Sequence, residues 1–284
     1  MSKKVGLLVL VAVIATGSGA EELWRDEFDG VALRSGLEKR LRGVGALVVQ
    51  RAGQLVMDTG AAVGSAQAAV STVTDQAGRE VLPGGARVFN FYDHPVKIRF
   101  DIESIAGRPA VRAGGSRNIF YFSIGDDAEG NYAPQAKVLD AGIGFCLEQL
   151  DTGDGPVWRI VYMALKDGSS DGETGVAANL SGRPSALSVV LDGRVATINL
   201  EGAVIDKMGA LGTGAKGGQS LEVELADLSS AVSGYTLAFG AYNLGTVAEK
   251  TVVTLQAVSV WVDAPLMVGQ CGPERYAFPV IVSR

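Results

Sequence analysis

The sequence predicts an all-β protein, one sandwich of two antiparallel sheets with about 12 strands, behind a cleavable leader. Three observations predict it. Short runs rich in Val, Ile, Phe and Tyr alternate apolar with polar residues at a period of two, the pattern of a strand with one buried face. Glycine, aspartate and asparagine interrupt these runs; the 38 glycines suit many turns, and no Gly-X-Y period accompanies them. Helical periodicity is nearly absent, so sheets must bury sheets.

The elements follow in order. Lys3 and Lys4 precede eleven apolar residues, 5–15, and then the small residues Thr16, Gly17, Ser18, Gly19 and Ala20. That is the layout of a signal peptide over 1–20, with cleavage expected before Glu21. The apolar core falls short of the roughly 20 residues that span a bilayer, and no later stretch is long and apolar enough. The mature chain is therefore expected to be secreted, extracellular or periplasmic, with no membrane span. Residues 21–264 are expected to form the sandwich and 265–284 a tail packed on it. Strands are expected at 45–50, 54–58, 86–91, 96–105, 118–124, 141–150, 158–164, 186–191, 194–200, 220–225, 235–243 and 252–262. Two pairs read as hairpins. Asp192-Gly193 between apolar runs predicts a type I′ turn, which needs positive φ at both central residues. Arg51-Ala52-Gly53 predicts a three-residue loop with glycine in the left-handed position. Only 61–75 and 225–233 leave room for a helix or helical turn.

Charge narrows the partners. The chain carries 25 basic and 31 acidic residues; losing the leader removes two basic ones and takes the formal charge from −6 to −8. Nucleic-acid binding needs a concentrated basic face, and no basic run is present. The only cysteines are Cys146 and Cys271. In an oxidising compartment the two are expected to bridge, closing a long loop for roughly 4 kcal/mol in the chain-entropy view. The alternative is two buried thiols.

The order of elements resembles the concanavalin A-like lectin and glucanase superfamily of LamG-like jelly rolls. Four places carry the resemblance. Leu23-Trp24-Arg25-Asp26-Glu27-Phe28-Asp29-Gly30 is similar to the acidic, aromatic opening of secreted members, whose first strand pairs beside the last. Residues 96–105 resemble their long central strand, 187–200 their ligand-side hairpin, and 235–243 with 251–262 their closing pair. The resemblance implies a jelly-roll sandwich, and fold alone does not carry function. The Glu-x-Asp-x-x-Glu strand of laminarinase-like members is absent. Residues 145–151 are loosely similar to a strand of keto-disaccharide hydrolases, and no catalytic residue is carried across.

Several groups are candidates for chemistry. Asp101 and Glu103 lie two apart on one strand, so they share a face at a spacing a carboxylate-pair glycosidase uses. The plain alternative is a solvated face on which Asp101 pairs with Arg99 while Phe100, Ile102 and Ile105 pack inward. Glu148 faces the same side as Cys146, and if that side is buried its carboxylate is a candidate general acid. Oxygen-rich loops suggest calcium, first at Asp126, Asp127, Glu129 and Asn131, then at 151–154 and 167–173; acidic turns are also ordinary solvated loops. His94 is the only histidine, which excludes multi-histidine zinc sites, and no nucleophile-elbow or phosphate-cradling motif is present.

A polysaccharide or glycan is the expected partner, because sugars stack on aromatic faces and bond to amides, carboxylates and arginines. Asn118, Tyr121 and Trp158 are the candidate binding residues, Trp158 because it follows a Gly-Pro turn. The functional expectation is a secreted lectin-like module that binds carbohydrate or serves as an extracellular or cell-surface structural module. A polysaccharide-cleaving enzyme, a glycoside hydrolase or lyase, would need Asp101, Glu103 or Glu148 in one groove. A structural subunit of an extracellular assembly would show a long exposed edge strand.

Overall fold

The computed structural model describes residues 21–34, 36–60, 66–72, 89–110, 117–125, 142–165, 174–230, 235–245, 247–262, 266–269 and 276–279. Residues 1–20, expected as a leader, and residues 126–131, expected as a calcium site, lie outside the described residues, as does Cys271. Nineteen strands, and no helix, lie among the described residues. They begin with β1 (Glu21–Asp26), β2 (Leu37–Arg42), β3 (Leu47–Arg51), β4 (Gln54–Asp58), β5 (Ala66–Thr72), β6 (Val96–Pro109) and β7 (Arg117–Gly125). Next come β8 (Gly142–Asp151), β9 (Pro156–Leu165), β10 (Thr174–Leu180), β11 (Ala186–Asp192), β12 (Val195–Glu201) and β13 (Ile205–Met208). The last are β14 (Gly212–Gly214), β15 (Ser220–Glu224), β16 (Thr236–Leu244), β17 (Val247–Val262), β18 (Leu266–Gly269) and β19 (Tyr276–Pro279).

Two antiparallel sheets make the sandwich. The larger holds nine strands in the order β14-β15-β12-β11-β6-β17-β4-β3, with β1 also paired to β17. The smaller holds eight, in the order β13-β10-β9-β8-β7-β16-β5-β2. Strands β18 and β19 pair with each other as a separate ribbon. The sandwich therefore has seventeen strands rather than about 12. The additional ones are mostly charged or short rim strands, such as Leu-Glu-Lys-Arg-Leu-Arg in β2 and Gly-Thr-Gly in β14, which lack a clean apolar alternation.

The core lies between the sheets. On β6 the inward residues Val96, Ile98, Phe100 and Ile102 are buried. Phe100 meets three rings of the smaller sheet, with centroids 5.2 Å from Phe120, 5.3 Å from Phe122 and 5.5 Å from Phe239. The chain of rings continues from Phe122 to Phe145 at 5.4 Å and on to Tyr162 at 5.3 Å. Each such ring contributes about 1.5–3 kcal/mol by leaving water, which fixes the two sheets face to face.

Four expectations need correction. Residues 61–75 hold no helix among the described residues; Ala66–Thr72 is strand β5, between β16 and β2. Its alanines favour helix by propensity, but packing overrides it: a Cβ on Gly240 of β16 would lie 2.5 Å from Ala69 Cβ, so only small residues fit this close approach. Residues 89–91, expected as strand, form a turn instead. Both hairpins form with turns other than those expected. Gly193-Arg194 is the loop between β11 and β12, with positive φ only at Gly193, the type II′ arrangement with glycine first. Ala52-Gly53 is the loop between β3 and β4, with φ of 50° and 74°, the type I′ arrangement. Lastly, β16 and β17 belong to different sheets and are not paired with each other. The long central strand and the pairing of β1 beside β17 are as expected.

Candidate functional site

The larger sheet carries a polar cleft where β1 ends beside β3. Asp26 Oδ1 accepts a hydrogen bond from the Phe28 backbone N–H at 2.8 Å, an Asx turn that reverses the chain as the strand stops. Phe28 then takes a φ of 56° with its ring fully buried. A bulky residue in the left-handed region is strained, and strain of this kind persists only where the surroundings enforce it. The loop returns against β3 so closely that a Cβ on Gly30 would lie 3.0 Å from Gln50 Nε2.

The cleft so formed has a volume of about 570 Å³ and is lined by Arg25, Asp26, Glu27, Asp29, Arg34 and Gln50, with the small residues Gly30 and Ala32. Arg25 and Glu27 form an ion pair at 2.7 Å, and Arg34 Nη1 donates to the Arg25 carbonyl at 3.3 Å. Two acceptors at the wall, Asp26 Oδ2 and Gln50 Oε1, are buried without a hydrogen-bond partner. An unsatisfied buried acceptor costs about 1–3 kcal/mol, and a donor brought by a ligand recovers it. Burial raises the Asp26 pKa and the nearby Asp29 adds to the rise, against the lowering by the Phe28 N–H and Arg34. The cleft thus offers acidic acceptors, guanidinium donors and an amide, a set suited to a ligand with many hydroxyls.

The residues singled out from sequence lie elsewhere. Asp101 and Glu103 are on the outer face of β6: Arg99 pairs with Asp101 at 2.8 Å, and Gln256 donates to Glu103. Arg99 also pairs with Glu201, which draws the Glu201 pKa down. This is the solvated ion-pair face foreseen as the plain alternative. Glu148 is fully buried on the outer face of the smaller sheet, with Arg159 Nε at 2.8 Å and Arg117 Nε at 3.3 Å. A buried carboxylate is tolerable when paired in this way. Glu148 thus lies on the opposite side of the sandwich from Asp101 and Glu103, and the three share no groove.

Asn118 is buried at the edge of the core, donating to the Glu249 carbonyl at 3.0 Å and to Thr251 Oγ1 at 2.8 Å. Tyr121 is buried, its hydroxyl accepting from Gln67 Nε2 at 2.7 Å. Trp158 is half-buried and packs against the main core. Cys146 is buried in a cluster with Tyr121, Ile119 and Val161, and Cys271, its expected partner in a bridge, lies outside the described residues. No group of three or more His, Cys, Asp or Glu among the described residues is placed to hold a metal, and Asp126, Asp127, Glu129 and Asn131 lie outside them. No helix among the described residues is long and apolar enough to cross a membrane.

Asp26 and Gln50 were not singled out from sequence. A signal for Gln50 exists: in Leu47-Val48-Val49-Gln50 it falls at an inward position of the strand, with the burial of Val48, where an apolar residue is the norm.

No family model matches the sequence, and no curated protein matches it. Among solved structures the chain is similar to the carbohydrate recognition domain of Emp47p, at 10% identity and a TM-score of 0.48, over 86% of this chain and 97% of that one. It is similar to peanut lectin at 9% identity and a TM-score of 0.43, over 84% and 96%. It is also similar to the exoplasmic/lumenal domain of VIP36 in a Ca2+/Man3GlcNAc-bound form, at 10% identity and a TM-score of 0.42, over 84% and 86%.

Proposed function

We propose that this chain is an exported, lectin-like sandwich that binds a polysaccharide or glycan, and that the cleft between β1 and β3 takes the sugar. The observation that carries the reading is the pair of partnerless acceptors, Asp26 Oδ2 and Gln50 Oε1, at the wall of a cleft otherwise lined by carboxylates and guanidiniums. Sugar hydroxyls both donate and accept, so one ring can satisfy the acceptors and receive bonds from Arg25 or Arg34. The strained Phe28 turn holds the Asp26 end of the cleft before any ligand arrives, which reduces the ordering cost of binding.

The test is binding and release on a polysaccharide panel, with and without calcium. Asp26→Ala and Gln50→Ala are expected to weaken binding about tenfold or more each, the equivalent of one lost hydrogen bond to a buried group. Binding should also weaken as pH falls through the raised Asp26 pKa, because the ionised carboxylate is the stronger acceptor; Asp26→Asn should flatten that profile. Calcium dependence would speak for the Asp126, Asp127, Glu129 and Asn131 loop. Binding lost on Trp158→Ala but kept in the Asp26 and Gln50 variants moves the site to the smaller sheet. Release of sugar ends, abolished by Glu103→Gln or Glu148→Gln, would replace this reading with an enzyme.

A further inference from the structure

The charges that line the cleft between β1 and β3 fall into two groups. Arg25 and Glu27 match one another, with Nε and Nη2 of Arg25 at 2.8 Å and 2.7 Å from Glu27 Oε1. The rest of the lining sets two carboxylates, Asp26 and Asp29, against the single guanidinium of Arg34. Asp29 is near enough to Asp26 to oppose its ionisation, and Arg34 near enough to favour it. Arg34 Nη1, however, is turned to the Arg25 carbonyl at 3.3 Å. One negative charge is therefore left over at the Asp26 end.

The hydrogen-bonding groups are unbalanced in the same sense. Both buried side-chain atoms of the lining that lack a partner, Asp26 Oδ2 and Gln50 Oε1, are acceptors. No buried side-chain nitrogen of the lining is in that state. Gln50 is only 9% exposed, at an inward position of β3, so bulk water does not satisfy its oxygen. What the wall lacks is a group that brings donors and positive charge together.

On the reading that this cleft holds a glycan, we propose that the sugar it selects is an amino sugar with a free, protonated amine, the ammonium lying against Asp26 and Gln50. An ammonium carries three donors, no acceptor and one positive charge, which answers both deficits at once. The hydroxyls of the same ring are left to the guanidiniums of Arg25 and Arg34. A neutral hexose supplies a donor without the charge. An N-acetylated amine supplies one N–H and no charge, and a uronate or sulfated sugar sets negative charge against negative. The chain as a whole has the same sign, a formal charge of −6, which draws a cationic glycan toward it and repels an anionic one.

Calorimetric titration of the full chain with trisaccharides of glucosamine, N-acetylglucosamine and glucose in one linkage tests this. At a pH where the amine is protonated, the glucosamine trimer should bind about tenfold or more tightly than the other two, the difference between a charge-assisted and a neutral hydrogen bond. Raising the pH until the amine is neutral should remove the preference. Asp26→Asn, which keeps the acceptor for the Phe28 N–H, should also remove it, and Gln50→Glu should widen it; thermal melts confirm that both variants are folded, and Asp26→Asn suffices if Gln50→Glu is not. Equal binding of the three trimers overturns the selection for an amine and leaves the cleft as a glycan site. A preference that survives Asp26→Asn places the amine elsewhere and overturns the proposal, as does a glucosamine trimer that fails to bind. Binding of 1,4-diaminobutane as tight as that of the glucosamine trimer would overturn it too, because the cleft would then read a bare ammonium and not a sugar. The polysaccharide panel is read separately on the same proteins, so either idea can fail alone.

Discussion

On β6 of the larger sheet the outward residues are Lys97, Arg99, Asp101 and Glu103, all reached by solvent. On β8 of the smaller sheet they are Gly144, Cys146 and Glu148, all buried. The inward residues of the two strands are alike, and the ring of Phe100 leads through Phe122 to Phe145. The difference lies entirely on the far sides. The smaller sheet has a second apolar cluster there, with Ile119, Tyr121, Val161, Met163 and Tyr242 around Cys146, and a carboxylate between two guanidiniums beside it. The same residue type, a strand glutamate, is therefore a surface group at position 103 and an interior ion-pair centre at 148.

The largest effect should come from breaking the interior centre. Glu148→Ala leaves the guanidiniums of Arg117 and Arg159, both mostly buried, without their shared partner, at a cost of about 3–5 kcal/mol. Glu103→Ala on the exposed face should stay within about 0.5 kcal/mol. Urea unfolding of both variants makes the comparison, and similar losses for the two would dissolve the contrast between the faces.

Next in size is a difference in reactivity. Burial pushes the Cys146 thiol well above its ordinary pKa, and Glu148 adds to the rise. In a Cys271→Ser variant, Cys146 should resist a thiol reagent until the protein is unfolded, while a cysteine placed by Glu103→Cys should react at once. In the wild type, absence of any free thiol even in denaturant would establish the bridge to Cys271.

These contrasts show how far the sequence could be read. The inward set Val96, Ile98, Phe100 and Ile102 alternates with charges, and that alternation alone places β6 with one face in water. Residues 118–124 run Asn-Ile-Phe-Tyr-Phe-Ser-Ile with no charge, the composition of a strand buried on both sides. Tyr121 lies on the outer side of this strand and is nonetheless buried, because alternation shows which residues share a side and not what covers that side. Asp26 was legible only as the acidic opening of a strand. Its meeting with Gln50, 24 positions later, in one cleft follows a left-handed turn at Phe28, and neither periodicity nor spacing encodes such an encounter.

A smaller effect is expected from the ion pair on the open face. Arg99 lowers the Glu201 pKa, so the folded state holds that proton less tightly than the unfolded chain. The stabilisation is present above the ordinary carboxylate pKa and is lost as pH falls through the lowered value. Glu201→Gln should cost about 0.2–1 kcal/mol at neutral pH, less in high salt, and nothing in strong acid. A cost that persists in acid or is insensitive to salt would show that Glu201 acts through packing and not charge.

The smallest change should be a gain, at the rim of the larger sheet. Ala52 occupies the first position of the two-residue loop between β3 and β4 with a φ of 50°, which asparagine tolerates better than alanine. The side chain is exposed, so Ala52→Asn alters the turn without touching the core. It should stabilise the fold by about 0.5–1 kcal/mol, in line with the cost of a left-handed alanine. Thermal melts of this variant beside Glu148→Ala then separate two sources of stability: local turn conformation on the solvated sheet and a paired charge within the covered one. No gain at Ala52 would mean that the β3–β4 hairpin is held by its pairing to β17, with the turn following passively.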